Sequence, residues 1–182
     1  GFTNRTIWPI YNVDAPIWGW VWDSGLHDIP ACGEITLPQQ AELRIEPEIV
    51  FGFAQSPDAD MTDADLWACI DWVAHGFEIV TSAFPGWRFT APDTAAGQAM
   101  HASLWIGPRL PANQVDPADL VRFGLTLRGP DTRLSGTGAD VLGGPLYALR
   151  HLLSEIPRMP GAGPVAAGEV VTTGTLTDAP LI

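Results

Sequence analysis

Arg44-Ile45-Glu46-Pro47-Glu48-Ile49-Val50-Phe51 is the stretch on which both the fold and the chemistry of this chain turn. Its β-branched and aromatic residues read as a strand over residues 43 to 53. Side chains at i and i+2 of a strand point to the same face, so Glu46 and Glu48 are parallel neighbours. Two carboxylates that close repel unless a proton or a cation lies between them. Further along, Glu78 sits in a similar apolar setting, Gly76-Phe77-Glu78-Ile79-Val80. Three carboxylates on hydrophobic segments suggest a site for a hard divalent cation such as Mg²⁺ or Mn²⁺, which prefers oxygen ligands and keeps positions open for substrate. A solvated acidic face is the plainer alternative for a Glu-x-Glu pair.

The surrounding composition is globular. The chain has 182 residues, 46% hydrophobic and 16% charged, enough for one domain with a real core. Its formal charge is −12, with nine arginines and no lysine. Such a balance argues against nucleic acid and against anionic membranes, both of which need a basic face. No apolar run approaches the length of a membrane span. Cys32 and Cys69 lack metal-ligand spacing; the two could pair, but buried free thiols of a cytoplasmic protein are the favoured reading.

Around the acidic strand the pattern is mixed. Trp18, Trp20 and Trp22 alternate at strand period, which favours core or a subunit interface over a substrate wall. Residues 34 to 38 read as a second short strand. Thr62 is a candidate N-cap with Asp63 and Asp65 in the first turn, and Leu66, Ile70 and Val73 are spaced for a helix that stops at Gly76. That places Glu78 at the start of the next strand. Residues 84 to 97 read as loop, 101 to 107 and Val121 to Leu127 as strands, and Ser135-Gly136-Thr137-Gly138 as a tight turn. Pro145 opens a helix with Leu146, Leu149, Leu153 and Ile156 on one face. A turn and a strand follow from Ala167 to Gly174. Strands and two helices without strict alternation indicate an α+β fold.

Several ordered segments carry a resemblance: Gly1-Phe2-Thr3-Asn4-Arg5-Thr6-Ile7-Trp8, the Glu46-Pro47-Glu48 strand, Phe77-Glu78-Ile79-Val80-Thr81-Ser82, Trp87-Arg88-Phe89, Pro92-Asp93-Thr94-Ala95-Ala96, Gly136-Thr137-Gly138, Leu142-Gly143-Gly144-Pro145-Leu146, and the segment from Ala167 to Gly174. Together they resemble the 2-keto-4-pentenoate hydratase branch of the fumarylacetoacetate hydrolase superfamily. The resemblance covers essentially the whole chain and implies a mixed β-sheet roll with short flanking helices. It implies Mg²⁺ or Mn²⁺ on Glu46, Glu48 and Glu78, and a small 2-keto acid or dienol substrate from aromatic-compound breakdown. In a hydratase, 2-hydroxypenta-2,4-dienoate becomes a conjugated ketone and water adds to the far carbon. Family members are commonly homo-oligomers, and some hydratases associate with a sister decarboxylase. A 2-oxo acid decarboxylase of the 4-oxalocrotonate type, an acylpyruvate hydrolase and a non-catalytic subunit are the alternatives.

The branch carries a Lys in a Lys-x-Gly segment just before the residues matching Gly1-Phe2-Thr3, whereas this chain starts at that glycine. The expectation is a single catalytic core over residues 1 to 182, truncated at both ends relative to the family. Ile17 stands where many hydratases have an acidic residue, and Asp14 and Asp23 are nearby in sequence. Further candidates are Arg88 and Thr175 for the substrate carboxylate, Asp93 beside the site, and His101 as general acid or base. Each has a plainer reading: a surface ion pair, a turn hydroxyl, a turn cap and a structural histidine. His27, His75 and His151 show no ligand spacing and are taken as structural or exposed.

Overall fold

The structure is a computed structural model that describes residues 1–31, 33–37 and 42–182. In chain order the regular elements are α1 (Trp8–Tyr11), β1 (Leu26–Asp28), β2 (Leu43–Phe53), α2 (Asp63–Ala68), β3 (Ile70–Thr81), α3 (Ala91–Ala96), β4 (His101–Ile106), β5 (Leu110–Pro111), α4 (Asp119–Arg122), β6 (Gly124–Arg128), β7 (Arg133–Thr137), α5 (Pro145–Glu155) and β8 (Val170–Thr172). Six strands form one sheet in the order β1-β4-β3-β2-β8, with β5 also pairing β3, while β6 and β7 make a separate hairpin. The β1–β4 pair is parallel and the other pairs are antiparallel, so the sheet is mixed. This is the expected α+β roll with short flanking helices.

The two long strands β2 and β3 form the centre of the sheet. Pro47 lies inside β2, where a missing N–H normally breaks a ladder. Here its carbonyl accepts from Leu176 N–H at 2.9 Å, on the side away from β3. The absent donor therefore faces that same side, and the β2–β3 ladder keeps its bonds. One face of the sheet carries Ile49, Phe51, Phe53 and Val73, packed with Leu66 and with Leu149 and Leu153 of α5. The other carries Val50, Ala74, Leu104 and Ile106 around the acidic positions.

Several local readings meet a tertiary correction. Thr62 does cap α2, accepting from Asp65 N–H, but the helix ends at Ala68. Ile70 and Val73 belong to β3, which runs on through Gly76, so Glu78 lies well inside this strand and not at its start. The apolar spacing from Leu66 fits a helix, yet Ile70, Trp72 and Val73 are strand formers with β2 alongside as a partner, and pairing wins. Residues 34 to 37 form no strand, and residue 38 of that expectation lies outside the described residues, as does Cys32. Cys69 is buried with a free thiol. The segment 84 to 97 contains α3, residues 119–122 are helical ahead of β6, and Ser135 to Thr137 belong to β7. The tryptophan stripe is extended but unpaired: Trp18 and Trp20 meet edge to face at 5.2 Å, and Trp22 is 59% exposed. Among the described residues no helix is long and apolar enough to cross a membrane.

Gly76 pairs with Glu48 across the two central strands. A Cβ added there would meet Val50 Cγ2 at 2.8 Å and the Trp105 carbonyl at 3.1 Å. Its hydrogen lets the sheet close tightly beside the acidic face. Gly76→Ala is expected to lower unfolding stability by about 1–3 kcal/mol in urea titrations, as overpacking does. Gly163→Ala, where nothing lies within 4 Å, should stay within about 0.5 kcal/mol.

Candidate metal centre

The β2–β3 register builds the site. Glu46 pairs directly with Glu78, and Glu48 with Gly76, so all three carboxylates share one face. Each offers an oxygen, and these oxygens lie within 4.8 Å of one another. Glu48 is 1% exposed, Glu46 and Glu78 are half-buried. Glu48 is held from the side of β8: its Oε2 accepts from the Thr172 hydroxyl and from Gly174 N–H, the latter at 2.7 Å. Its Oε1 is buried with no hydrogen-bond partner. Glu78 Oε1 lies 2.6 Å from His101 Nδ1, and His101 Nε2 is buried without a partner.

Burial first, and the Glu78 carboxylate second, push Glu46 from its ordinary 4.5 up to about 8. Burial, then Glu78 and Glu46, push Glu48 well above the usual carboxylate range against the lowering effect of the Thr172 and Gly174 hydrogen bonds. Both shifts favour the protonated carboxyl at Glu46 and at Glu48. The donor set fits a hard divalent ion: carboxylate oxygens only, converging, one of them buried and unpaired.

A cavity of about 310 Å³ opens onto the cluster. Glu48, Glu78 and His101 line it, together with Thr3, Trp18 and Trp20. Ile17 lies on its wall, and so does Asp23, while Asp14 does not. From α5, Ala148, Leu149, His151 and Leu152 also line the cavity. Trp18 thus serves both as wall and as core packing.

The remaining candidates stand apart from this cavity. Arg88 is exposed and does not line it. Asp93 Oδ2 accepts from both the backbone N–H and the hydroxyl of Thr90, 2.8 Å each, which closes a capping box on α3. Those bonds hold its carboxyl below the usual range, so the side chain is committed to the helix start. The Thr175 hydroxyl donates to the Thr177 carbonyl at 2.8 Å, also off the cavity wall. His27 packs against Trp105 with ring centroids 4.5 Å apart and the planes tilted by 33°, and His75 is exposed, whereas His151 is a cavity residue. Thr3, Thr172, Asp23 and His151 were not picked out by spacing. Thr3 and Thr172 do lie in segments that carry the family resemblance, which is the signal that could have flagged them.

Between about pH 4.5 and pH 8 the folded, metal-free chain binds more protons at Glu46 than the unfolded chain does. Its stability from this group is therefore present at low pH and lost as pH rises through that window. The expected outcome is a melting temperature higher at pH 5.5 than at pH 8.5 in chelator. Millimolar Mg²⁺ or Mn²⁺ should narrow or invert the gap by replacing the protons. Glu46→Gln should flatten the chelator profile, and an unchanged slope would remove Glu46 as its source.

No family model matches the chain. Among curated proteins it is 30% identical over 186 aligned positions to a 2-hydroxyhexa-2,4-dienoate hydratase of Comamonas testosteroni, covering 100% of this chain and 67% of that protein. It is 29% identical over 156 positions to a 4-oxalocrotonate decarboxylase of a Pseudomonas species, covering 82% of this chain and 56% of the relative. The chain thus spans between about half and two thirds of these relatives. Among solved structures, 4-oxalocrotonate decarboxylase from Pseudomonas putida G7, complexed with magnesium and adipate, superposes with a TM-score of 0.81 at 22% identity, over 100% of this chain and 68% of that one. The fold, the order of the matching segments and the identity to the hydratase agree: the chain belongs to the 2-keto-4-pentenoate hydratase branch of the fumarylacetoacetate hydrolase superfamily.

Proposed function

We propose that this protein is a divalent-metal-dependent hydratase that adds water to 2-hydroxypenta-2,4-dienoate-like 2-oxo acids. The observation that carries the reading is the cluster of Glu46, Glu48 and Glu78, with the unpaired Glu48 Oε1 and His101 Nε2 belonging to residues that line one cavity. The identity to a dienoate hydratase supports the reaction class. Glu46, Glu48 and Glu78 are assigned as ligands for Mg²⁺ or Mn²⁺, the hard ions that suit a set of oxygens. When bound, such an ion supplies Lewis-acid stabilisation of negative charge on the substrate's oxygens.

The chain's own groups account for the proton movements. His101 Nδ1 faces Glu78, which fixes the ring and leaves Nε2 as the acceptor in the neutral imidazole. Nε2 takes the proton of the dienol 2-hydroxyl and returns it to C5, giving the conjugated ketone. Water then adds its hydroxyl to C4 and a proton to C3, giving 4-hydroxy-2-oxopentanoate. Trp18, Leu149 and Leu152 give the hydrocarbon part of the substrate an apolar wall and limit stray water. No contact with reacting atoms is assigned to Asp93 or Arg88, and Thr175 is assigned only to the loop that follows β8.

The second reading is decarboxylation of a 4-oxalocrotonate-type 2-oxo acid on the same site. It is favoured by the similarity to decarboxylases in both sequence and fold. Loss of the dienol absorbance of 2-hydroxypenta-2,4-dienoate, dependent on Mg²⁺ or Mn²⁺ and yielding 4-hydroxy-2-oxopentanoate, establishes the hydratase. Glu48→Gln should reduce kcat/KM by at least about 100-fold, and His101→Gln should lower kcat by about 10²–10⁴-fold with bound metal retained. Carbon dioxide release from 4-oxalocrotonate without hydration of the dienol would transfer the assignment to the decarboxylase.

A further inference from the structure

Five buried side-chain polar atoms have no hydrogen-bond partner among the described residues: Thr3 Oγ1, Arg44 Nε, Glu48 Oε1, Trp87 Nε1 and His101 Nε2. Arg44 and Trp87 lie away from the cavity and stack on each other, the guanidinium 4.6 Å from the ring centroid. The other three all belong to residues that line the one cavity. Glu48 and His101 already have parts in the proposed chemistry. Thr3, only 8% exposed, has none.

The place of Thr3 is closely defined. Its carbonyl accepts from Leu142 N–H at 3.0 Å, and the preceding carbonyl, of Phe2, accepts from Trp8 Nε1 at 2.8 Å. The side chain of Asn4, the next residue, accepts from Thr6 N–H at 3.0 Å. On its far side lies Gly174, at φ +102°, where an added Cβ would fall 1.8 Å from Thr3 Oγ1. Gly174 N–H is the donor that holds Glu48 Oε2. The Thr3 hydroxyl is therefore packed against the backbone that positions a carboxylate of the cluster, yet bonds to nothing in it. A buried hydroxyl without a partner is unusual, and on a cavity wall it is placed to be completed by what the cavity binds.

We propose that Thr3 Oγ1 donates a hydrogen bond to an oxygen of the 2-oxo acid bound at the carboxylate cluster, making Thr3 a substrate-binding residue. This rests on the reading of the cavity as a 2-oxo acid site. The Thr3 hydroxyl donates to neither Glu48 oxygen, so its proton is available for an anionic oxygen of the ligand. A rigid donor beside the cluster also distinguishes oxyanions from apolar molecules of equal size.

The test is calorimetric titration of oxalate, a dianion that mimics the carboxylate and 2-oxo oxygens, into Mn²⁺-loaded protein. Mn²⁺ affinity is measured separately. Thr3→Val should bind oxalate about tenfold more weakly or worse, Thr3→Ser should stay within about threefold, and both should bind Mn²⁺ within about threefold of the parent. Should the valine variant fail to fold, Thr3→Ala supplies the hydroxyl-free form and the same weakening is expected. Parent-like oxalate affinity in the hydroxyl-free variant overturns the assignment. So does an equal loss of Mn²⁺ affinity, which would tie the hydroxyl to the carboxylates instead. Absence of oxalate binding by the Mn²⁺-loaded parent overturns the 2-oxo acid reading itself together with this one.

Discussion

The direct pairing of Glu46 with Glu78 across β2 and β3 is the constraint on which the rest of this structure depends. Antiparallel partners have their side chains on the same face and close together. Like charges in that position are destabilising, and here the sheet face is also largely closed to water. A shift of one residue would turn Glu46 and Glu48 to the opposite face, into the packing of Phe51 and Leu149. The strand register and the carboxylate cluster are thus one decision, enforced by the apolar residues that alternate with the acids.

That arrangement trades stability for binding capacity. Carboxylates held this close are a preorganised set of oxygens, and either a proton or a divalent ion between them would relieve their repulsion. The neighbouring elements act toward the same end. Gly76 carries no side chain opposite Glu48, Thr172 and Gly174 orient Glu48 from β8, and His101 is set against Glu78 from β4. Four separate chain segments therefore meet at one cluster. The chain belongs to a hydratase branch and shares its fold with a decarboxylase, so the fold alone does not select the reaction.

The cavity walls combine apolar and titratable side chains. Ile17 lies in the cavity where many relatives are expected to carry an acid, while Asp23 lines it from a few residues further on. His151 projects from α5, a helix whose other inward residues are apolar. Arg88, a candidate for the substrate carboxylate, is exposed and off the cavity wall, and Asp93, a candidate for a place beside the site, is committed to a helix cap.

Read alone, the sequence determined the strand of Glu46 and Glu48, their shared face, the cap at Thr62, the helix from Pro145 and the oxygen-only chemistry of the acids. These follow from periodicity and local bonding, which depend on neighbours in the chain. It misjudged the end of α2, because Leu66, Ile70 and Val73 satisfy a helical spacing until a partner strand is present. Only the tertiary structure decided that Glu78 faces Glu46, that Thr172 and Gly174 hold Glu48, and which histidines reach the cavity. Such contacts join residues far apart in the chain, and they are set by strand register and by packing across the sheet, which no local pattern specifies.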